Sequence, residues 1–171
     1  MRIGILSDTH SKLDRAKVAL DTLIKDGAEY IIHAGDLIHV EMLEMLKNCG
    51  VDYIAVYGNN DAHLIKYHNS YNLVQEPSFF KLNDLKFKLM HLPFHMSPDA
   101  DVVISGHTHI FESSYLNDTL FLNPGEVCAR EKPISSFAIL QVTDKKYIVE
   151  HYTIKTNSTT VDKKEYIYER K

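Results

Sequence analysis

The residues best equipped for chemistry in this chain are carboxylates, imidazoles and one amide that stand where apolar runs give out. ILSDTH carries Asp8 and His10, IIHAGD ends on Asp36, AVYGNND holds Asn59, FKLMH ends on His91, and VVISGHTH supplies His107 and His109. Imidazoles and carboxylates bind divalent transition ions, an Asp can bridge two of them, and an Asn carbonyl fills a coordination position without adding negative charge. These seven ligands exceed the roughly four of a tetrahedral zinc site. Two five- or six-coordinate ions sharing one carboxylate would use them all. Such a pair, about 3.5–4 Å apart, holds a bridging hydroxide as nucleophile and stabilises the attacking and leaving oxygens of an in-line phosphoryl displacement.

Taken singly, each group has an ordinary structural use. Asp8 with His10 could be a helix cap and a surface histidine, Gly35-Asp36 a strand-to-helix turn, and Gly58-Asn59-Asn60-Asp61 a tight turn. Gly106-His107-Thr108-His109 resists that treatment, because two histidines flanking one residue after a buried strand have little packing purpose. The order decides: Asp-x-His, Gly-Asp, Gly-Asn-x-Asp, His and Gly-His-x-His, each at a strand end, form a specific combination. His33, inside a strand, reads as a buried, hydrogen-bonded histidine. His68 and His151 have no motif around them and read as surface.

Bringing these groups together requires strands whose C-terminal ends share one edge, the place where open α/β sheets bind ligands. Residues 2–6 form a short apolar run. A helix is expected next, with Ser11 as N-cap, Asp14 completing a capping box, apolar residues at Leu13, Ala16, Leu20, Leu23 and Ile24, and Gly27 as its stop. A strand at 30–36, a helix at 40–48 and a strand at 52–59 repeat the unit, which predicts a parallel sheet. From about residue 70 hairpin signals take over, around Asn83-Asp84, Asn117-Asp118 and Asp144-Lys145, with a buried strand at 101–107. Residues 1–155 read as one domain and 156–171 as a polar tail or edge strand.

The bounds agree with this. A chain of 171 residues fills one core and is short for two domains. The formal charge of −4, with scattered basic residues, leaves no nucleic-acid-binding patch, and no segment approaches the roughly 20 apolar residues of a membrane span. MRIGILSDTH lacks the shape of a signal peptide, and Cys49 and Cys128 lack C-x-x-C spacing. A cytoplasmic protein with two core thiols is the expectation. A β-rich edge near 111–122 or 135–154 could pair with another copy as a homodimer or higher oligomer.

The order SDTH…HAGD…GNND…H…GHTH…NPG resembles the calcineurin-like metallophosphoesterase superfamily over residues 1–154. The short chain is similar to its small prokaryotic phosphodiesterase branch, the YfcE type. The resemblance implies an α/β fold, a four-layered α/β/β/α sandwich of two mixed β-sheets flanked by helices, with a dimetal site on one edge. It implies that Asp8, His10, Asp36 and His109 hold one ion and Asp36, Asn59, His91 and His107 the other, Asp36 bridging, with Asp36, Asn59 and His107 at the reacting centre. The implied ions are divalent: Mn2+ first, with Fe2+, Ni2+ or Zn2+ as alternatives.

Two departures qualify the carry-over. Relatives often have histidine at the Asn60 position, where it assists the leaving group; such help is worth about 10²–10⁴-fold, so slow turnover of basic leaving groups is expected unless His63, His39 or His95 substitutes. The loop after His91 is trimmed, which predicts a shallow, open pocket and keeps His95 as a less favoured replacement ligand. Asn123-Pro124-Gly125 matches the family's turn near the site. The leading reading is a metal-dependent phosphodiesterase acting on a small phosphate ester. Its alternatives are a phosphomonoesterase or nucleotide phosphatase, and a non-catalytic scaffold like the retromer subunit that shares this fold and has a degenerate metal site.

Overall fold

β1 (Arg2–Leu6) is buried from Ile3 onward, Ile3 and Ile5 in one core layer and Leu6 in the other, so both faces are covered and it reads as a continuous apolar run rather than an alternating one. The computed structural model describes residues 1–170. α1 (Leu13–Lys25) buries Ala16, Ala19, Leu20 and Leu23 on one stripe, with Asp14 in its first turn and Lys25 in its last, both favourable to the helix dipole. The expected capping box does not form. The helix begins one residue later than expected, Lys12 occupies the N-cap position without a side-chain cap, and Ser11 Oγ instead meets His39 Nε2 at 3.0 Å. The physical reason lies just before it: residues 8–11 are committed to the loop that presents Asp8 and His10.

β2 (Tyr30–His33), α2 (Val40–Lys47), β3 (Asp52–Val56), a 3₁₀ turn (Ala62–Tyr67) and β4 (Leu73–Val74) complete the parallel half. The hairpins follow as expected: β5 (Ser78–Leu82) with β6 (Leu85–Leu89), β8 (Phe111–Leu116) with β9 (Thr119–Pro124), and β10 (Ile134–Val142) with β11 (Lys146–Lys155). β7 (Val102–Ile104) is the isolated buried strand, and β12 (Val161–Glu169) takes up most of the polar C-terminal segment.

These strands form two mixed sheets, ordered β12-β11-β10-β1-β2-β3-β4 and β5-β6-β7-β9-β8. Between the sheets lies a core that includes Ile3, Ile5, Ile32, Val56, Phe87, Leu89, Ile104 and Leu122. α1 and α2 cover the other face of the larger sheet over Leu6, Ile31, Ala55, Phe137 and Ile139. The outer face of the smaller sheet carries no helix among the described residues; Met90, Ala100 and Val103 with Phe121 make a small cluster there. The fourth layer is therefore a loop, because the 90–101 connection contains Pro93 and Pro98, which have no amide donor for a helix.

Register places the site. Leu6 pairs with His33 and His33 with Ala55, so the loops carrying Asp8, Asp36 and Asn59 leave the larger sheet side by side. Leu89 pairs with Ile104 in the smaller sheet, which brings the segments of His91 and His107 to the same edge. The proposed pairing edge at 135–154 is corrected by β12, which covers β11. β8, within 111–122, remains an edge strand.

Candidate metal centre

All seven sequence-predicted ligands meet at this edge. Asp8 is fully buried; its Oδ2 accepts hydrogen bonds from Ser7 Oγ at 2.7 Å and His107 N at 3.1 Å. Its Oδ1 points at His109 Nε2, 3.2 Å away, and lies 4.0 Å from His10 Nε2. Asp36 Oδ2 is 3.6 Å from both His10 Nε2 and His91 Nε2, a position between the two implied sets. Asn59 Oδ1 is 3.0 Å from His91 Nε2 and 3.0 Å from His107 Nδ1.

The ring nitrogens are pre-set. His91 Nδ1 donates to Ala34 O at 2.8 Å and His109 Nδ1 to Glu126 Oε2 at 2.6 Å, so in the neutral ring each Nε2 keeps its lone pair facing the cluster. His33 is a buried neighbour rather than a ligand: Nδ1 accepts from Gly35 N and Nε2 meets Thr9 Oγ1, and burial pushes its pKa down to about 3. His95, the less favoured ligand, is exposed on the 90–101 loop, whereas His91 is fully buried in the cluster.

Two local features explain the glycines of the motifs. A Cβ on Gly58 would stand 2.2 Å from both N and Oδ1 of Asp36, and one on Gly106 would stand 2.2 Å from Ser7 Oγ. Only glycine lets these loops close on the carboxylates. The backbone is also strained where the ligands sit: Asp8, His10, Asp36, His107 and His109 all have positive φ, between 44° and 68°. Left-handed backbone at non-glycine residues persists where surrounding structure holds it, and it concentrates at functional sites.

The set fits divalent cations on its own geometry. Among the described residues, the buried side-chain N and O atoms without a hydrogen-bond partner are Asp8 Oδ1 and His10 Nε2, both facing this cluster. Unpaired buried polar atoms are costly, and here both are metal-ligand types. Metal-ligating atoms of Asp8, Asp36 and His91 lie within 4.8 Å of one another, as do those of His10, His109 and Cys128. The neighbouring Asp8 carboxylate, then the Cys128 thiol and Glu126, raise His109 to about 11, while burial lowers His10. Burial alone would raise Asp8, but His109 and Ser7 hold it below its ordinary value. A cation at this spot would take the place of the His109 proton.

The structure adds residues that sequence reasoning missed. Glu126 is buried directly after the Asn-Pro-Gly turn, with Oε1 receiving the amides of Glu131 and Lys132 at 2.8 and 2.9 Å and Oε2 holding His109. Its place in the chain was the only signal. Cys128, expected as a core thiol, is buried beside it, Sγ 3.1 Å from Glu126 Oε2. Arg130 brings Nη2 to 3.2 Å from His109 Nε2 at the mouth of the site. Asn60 is turned onto Asp36: its N and Nδ2 donate to Oδ1 and Oδ2 at 3.0 and 2.8 Å. The alternative acids are engaged elsewhere or exposed, His63 on Ile38 O, His39 on Ser11 and His95 on its loop. His151 is not the surface residue expected; its ring stacks on Phe111 at 3.7 Å and meets Ser136 Oγ.

Comparison with known proteins places this geometry. The calcineurin-like phosphoesterase superfamily domain matches residues 1–145. The phosphodiesterase MJ0936 of Methanocaldococcus jannaschii is 34% identical over 163 residues, spanning 86% of this chain and 96% of that protein. A solved archaeal phosphodiesterase superposes with a TM-score of 0.75 at 28% identity, covering 98% of this chain and 100% of its own. A single-site variant of Vps29 from Entamoeba histolytica superposes with a TM-score of 0.78 at 22% identity, covering 98% of this chain and 99% of its own, a likeness of fold alone.

Proposed function

The chain belongs to the calcineurin-like phosphoesterase superfamily, and from that premise we propose that it is a metal-dependent phosphodiesterase that hydrolyses small phosphate diesters with two divalent ions, manganese first among them. The observation that carries the reading is the pair of buried ligand-type atoms without a hydrogen-bond partner, Asp8 Oδ1 and His10 Nε2, inside a cluster of imidazoles and carboxylates. When bound, the two ions supply Lewis acidity and a water of lowered pKa. The chain's own residues do the rest. Asp8, His10 and His109 would hold one ion and Asn59, His91 and His107 the other, with Asp36 between them. Ala34 O and Glu126 fix the tautomers of His91 and His109, so their lone pairs need no reorientation. Arg130 stands where it can offset charge on the phosphoryl oxygens. Asn60 has no titratable proton and is committed to Asp36, so the leaving alcohol is protonated by solvent and good leaving groups are favoured.

The scaffold reading draws on the Vps29 likeness, which at that identity concerns fold alone. The complete ligand set favours catalysis over it. The test is direct. Metal-free protein is reloaded separately with Mn2+, Fe2+, Ni2+ and Zn2+ and assayed on matched monoesters and diesters; diester hydrolysis with at least one ion is expected, preferring activated leaving groups. Faster monoester turnover would favour the phosphatase alternative, and no hydrolysis with any ion would favour the scaffold.

A further inference from the structure

Asn59 has a second role in the architecture. It lines a cleft of about 360 Å3 together with Tyr57, Gly58, Ala62, Ile65, Gln75 and Glu76. Tyr57, Ile65 and Gln75 also line a second hollow of about 540 Å3 that includes His68 and Asn69. The walls are largely apolar. Ile65 leaves 63% of its surface exposed, and the Tyr57 ring lies against His68 with centroids 6.2 Å apart and an interplanar angle of 15°, its hydroxyl 3.2 Å from His68 Nδ1. Glu76 ties the cleft to the candidate metal centre from the other side, since its Oε2 accepts the amides of His91 and Leu92 at 2.6 and 2.8 Å.

The charge in the cleft is selective. No lysine or arginine lines either hollow; the one carboxylate is Glu76, and His68, at the far end, has Nδ1 engaged with the Tyr57 hydroxyl. In the cleft beside Asn59 a second phosphate would therefore meet a carboxylate and no basic side chain, which is repulsive. A flat ring without charge would cover Tyr57 and Ile65 and find the Gln75 amide for a hydrogen bond. An alkyl stub would leave the walls wet.

We propose that this groove holds an organic group of the phosphate ester and selects a flat, uncharged ring over a small alkyl or charged group; the inference rests on the phosphodiesterase reading above. Binding tests it apart from turnover. Titrating 15N-labelled protein with diphenyl phosphate is expected to shift the backbone amides of Ala62, Ile65 and Gln75, and dimethyl phosphate to leave them in place. With Mn2+-loaded protein, kcat/KM for phenyl 4-nitrophenyl phosphate should exceed that for methyl 4-nitrophenyl phosphate about tenfold, the scale of burying a small apolar face. Ile65→Asp should bring that ratio close to one, whereas Val18→Asp, on α1 and lining neither hollow, should keep it. Equal amide shifts with the two phosphates, or a ratio indifferent to Ile65→Asp, would overturn the groove assignment even with both diesters cleaved. Cleavage of neither diester with any divalent ion would overturn the phosphodiesterase reading, and the amide shifts would still decide the groove.

Discussion

β1 joins two buried polar clusters, one at each end. At its start Glu150, only 5% exposed, accepts both Nη groups of Arg2 at 3.1 and 2.9 Å, while the Tyr152 hydroxyl lies 2.7 Å from Glu150 and 2.8 Å from Asp26. Just beyond its end, Asp8 Oδ1 and His10 Nε2 face other ligand-type groups at 3.2–4.0 Å but have no hydrogen-bond partner, on a backbone forced to positive φ. The first cluster is complete in itself. The second leaves two ligand-type atoms without a hydrogen bond, and that difference separates a structural network from a candidate binding site more sharply than burial or charge does.

The largest expected effect comes from emptying the incomplete cluster. Asp8→Ala should lower phosphoesterase activity by at least about 10³-fold, the scale of losing a transition-state electrostatic element, with circular dichroism unchanged. Mn2+ at about 100 times its Kd should stabilise the wild-type protein by about 2.7 kcal/mol and the variant hardly at all. Unfolding of Asp8→Ala at room temperature would put the two clusters in one class.

Breaking the complete cluster should do the reverse. Arg2→Met leaves Glu150 with only the Tyr152 hydroxyl and Lys163 Nζ at 3.4 Å and should cost about 2–3 kcal/mol, toward the lower end for a buried pair because Arg2 is partly exposed, with metal-dependent activity of the folded protein retained. Urea titration measures it. Burial alone would raise the Glu150 carboxyl, but Arg2 and Tyr152 hold it below its ordinary value. A depressed carboxylate contributes stability that is present above its unfolded pKa, near 4.5, and is lost as pH falls through the folded one. The acid limb of the stability curve should therefore be shallower in Glu150→Gln. An identical limb would remove Glu150 from the account.

Between the clusters in size lies Glu126→Gln, which keeps the shape around His109 and removes the charge behind its ring. Metal affinity should fall about 10–100-fold, read by calorimetry, and Glu126→Asp should recover part of it. The smallest effect concerns backbone strain at His107, where φ is 68°. Both His107→Gly and His107→Ala should lose activity, but the glycine variant should be more stable than the alanine variant by about 1 kcal/mol, measured by thermal unfolding. Equal stabilities would mean that the loop relaxes without the ligand.

The sequence made the ligands legible because each stands at the end of an apolar run, and strand ends in a parallel sheet share an edge. Asp36 and Asn59 could be placed from that rule alone. Glu126, Cys128 and Arg130 could not, since their approach to His109 depends on how the chain turns after β9, and nothing in a lone acid, thiol or guanidinium signals that turn. The 90–101 loop shows the same limit: its shortness was visible, but the missing helix over the smaller sheet followed from Pro93 and Pro98 acting on the connection. The capping box failed because Ser11 belongs to the ligand loop. His151 was misread because the ring that covers it, Phe111, comes from β8 in the other sheet, distant in sequence; Ser136 Oγ comes from its own hairpin partner β10.

The count of bound ions tests the central claim most directly. Metal-free protein dialysed against Mn2+ and analysed by elemental analysis alongside electron paramagnetic resonance should hold two ions per chain, magnetically coupled through Asp36, with the coupling lost in Asp36→Ala. One uncoupled ion, or none, would contradict the account.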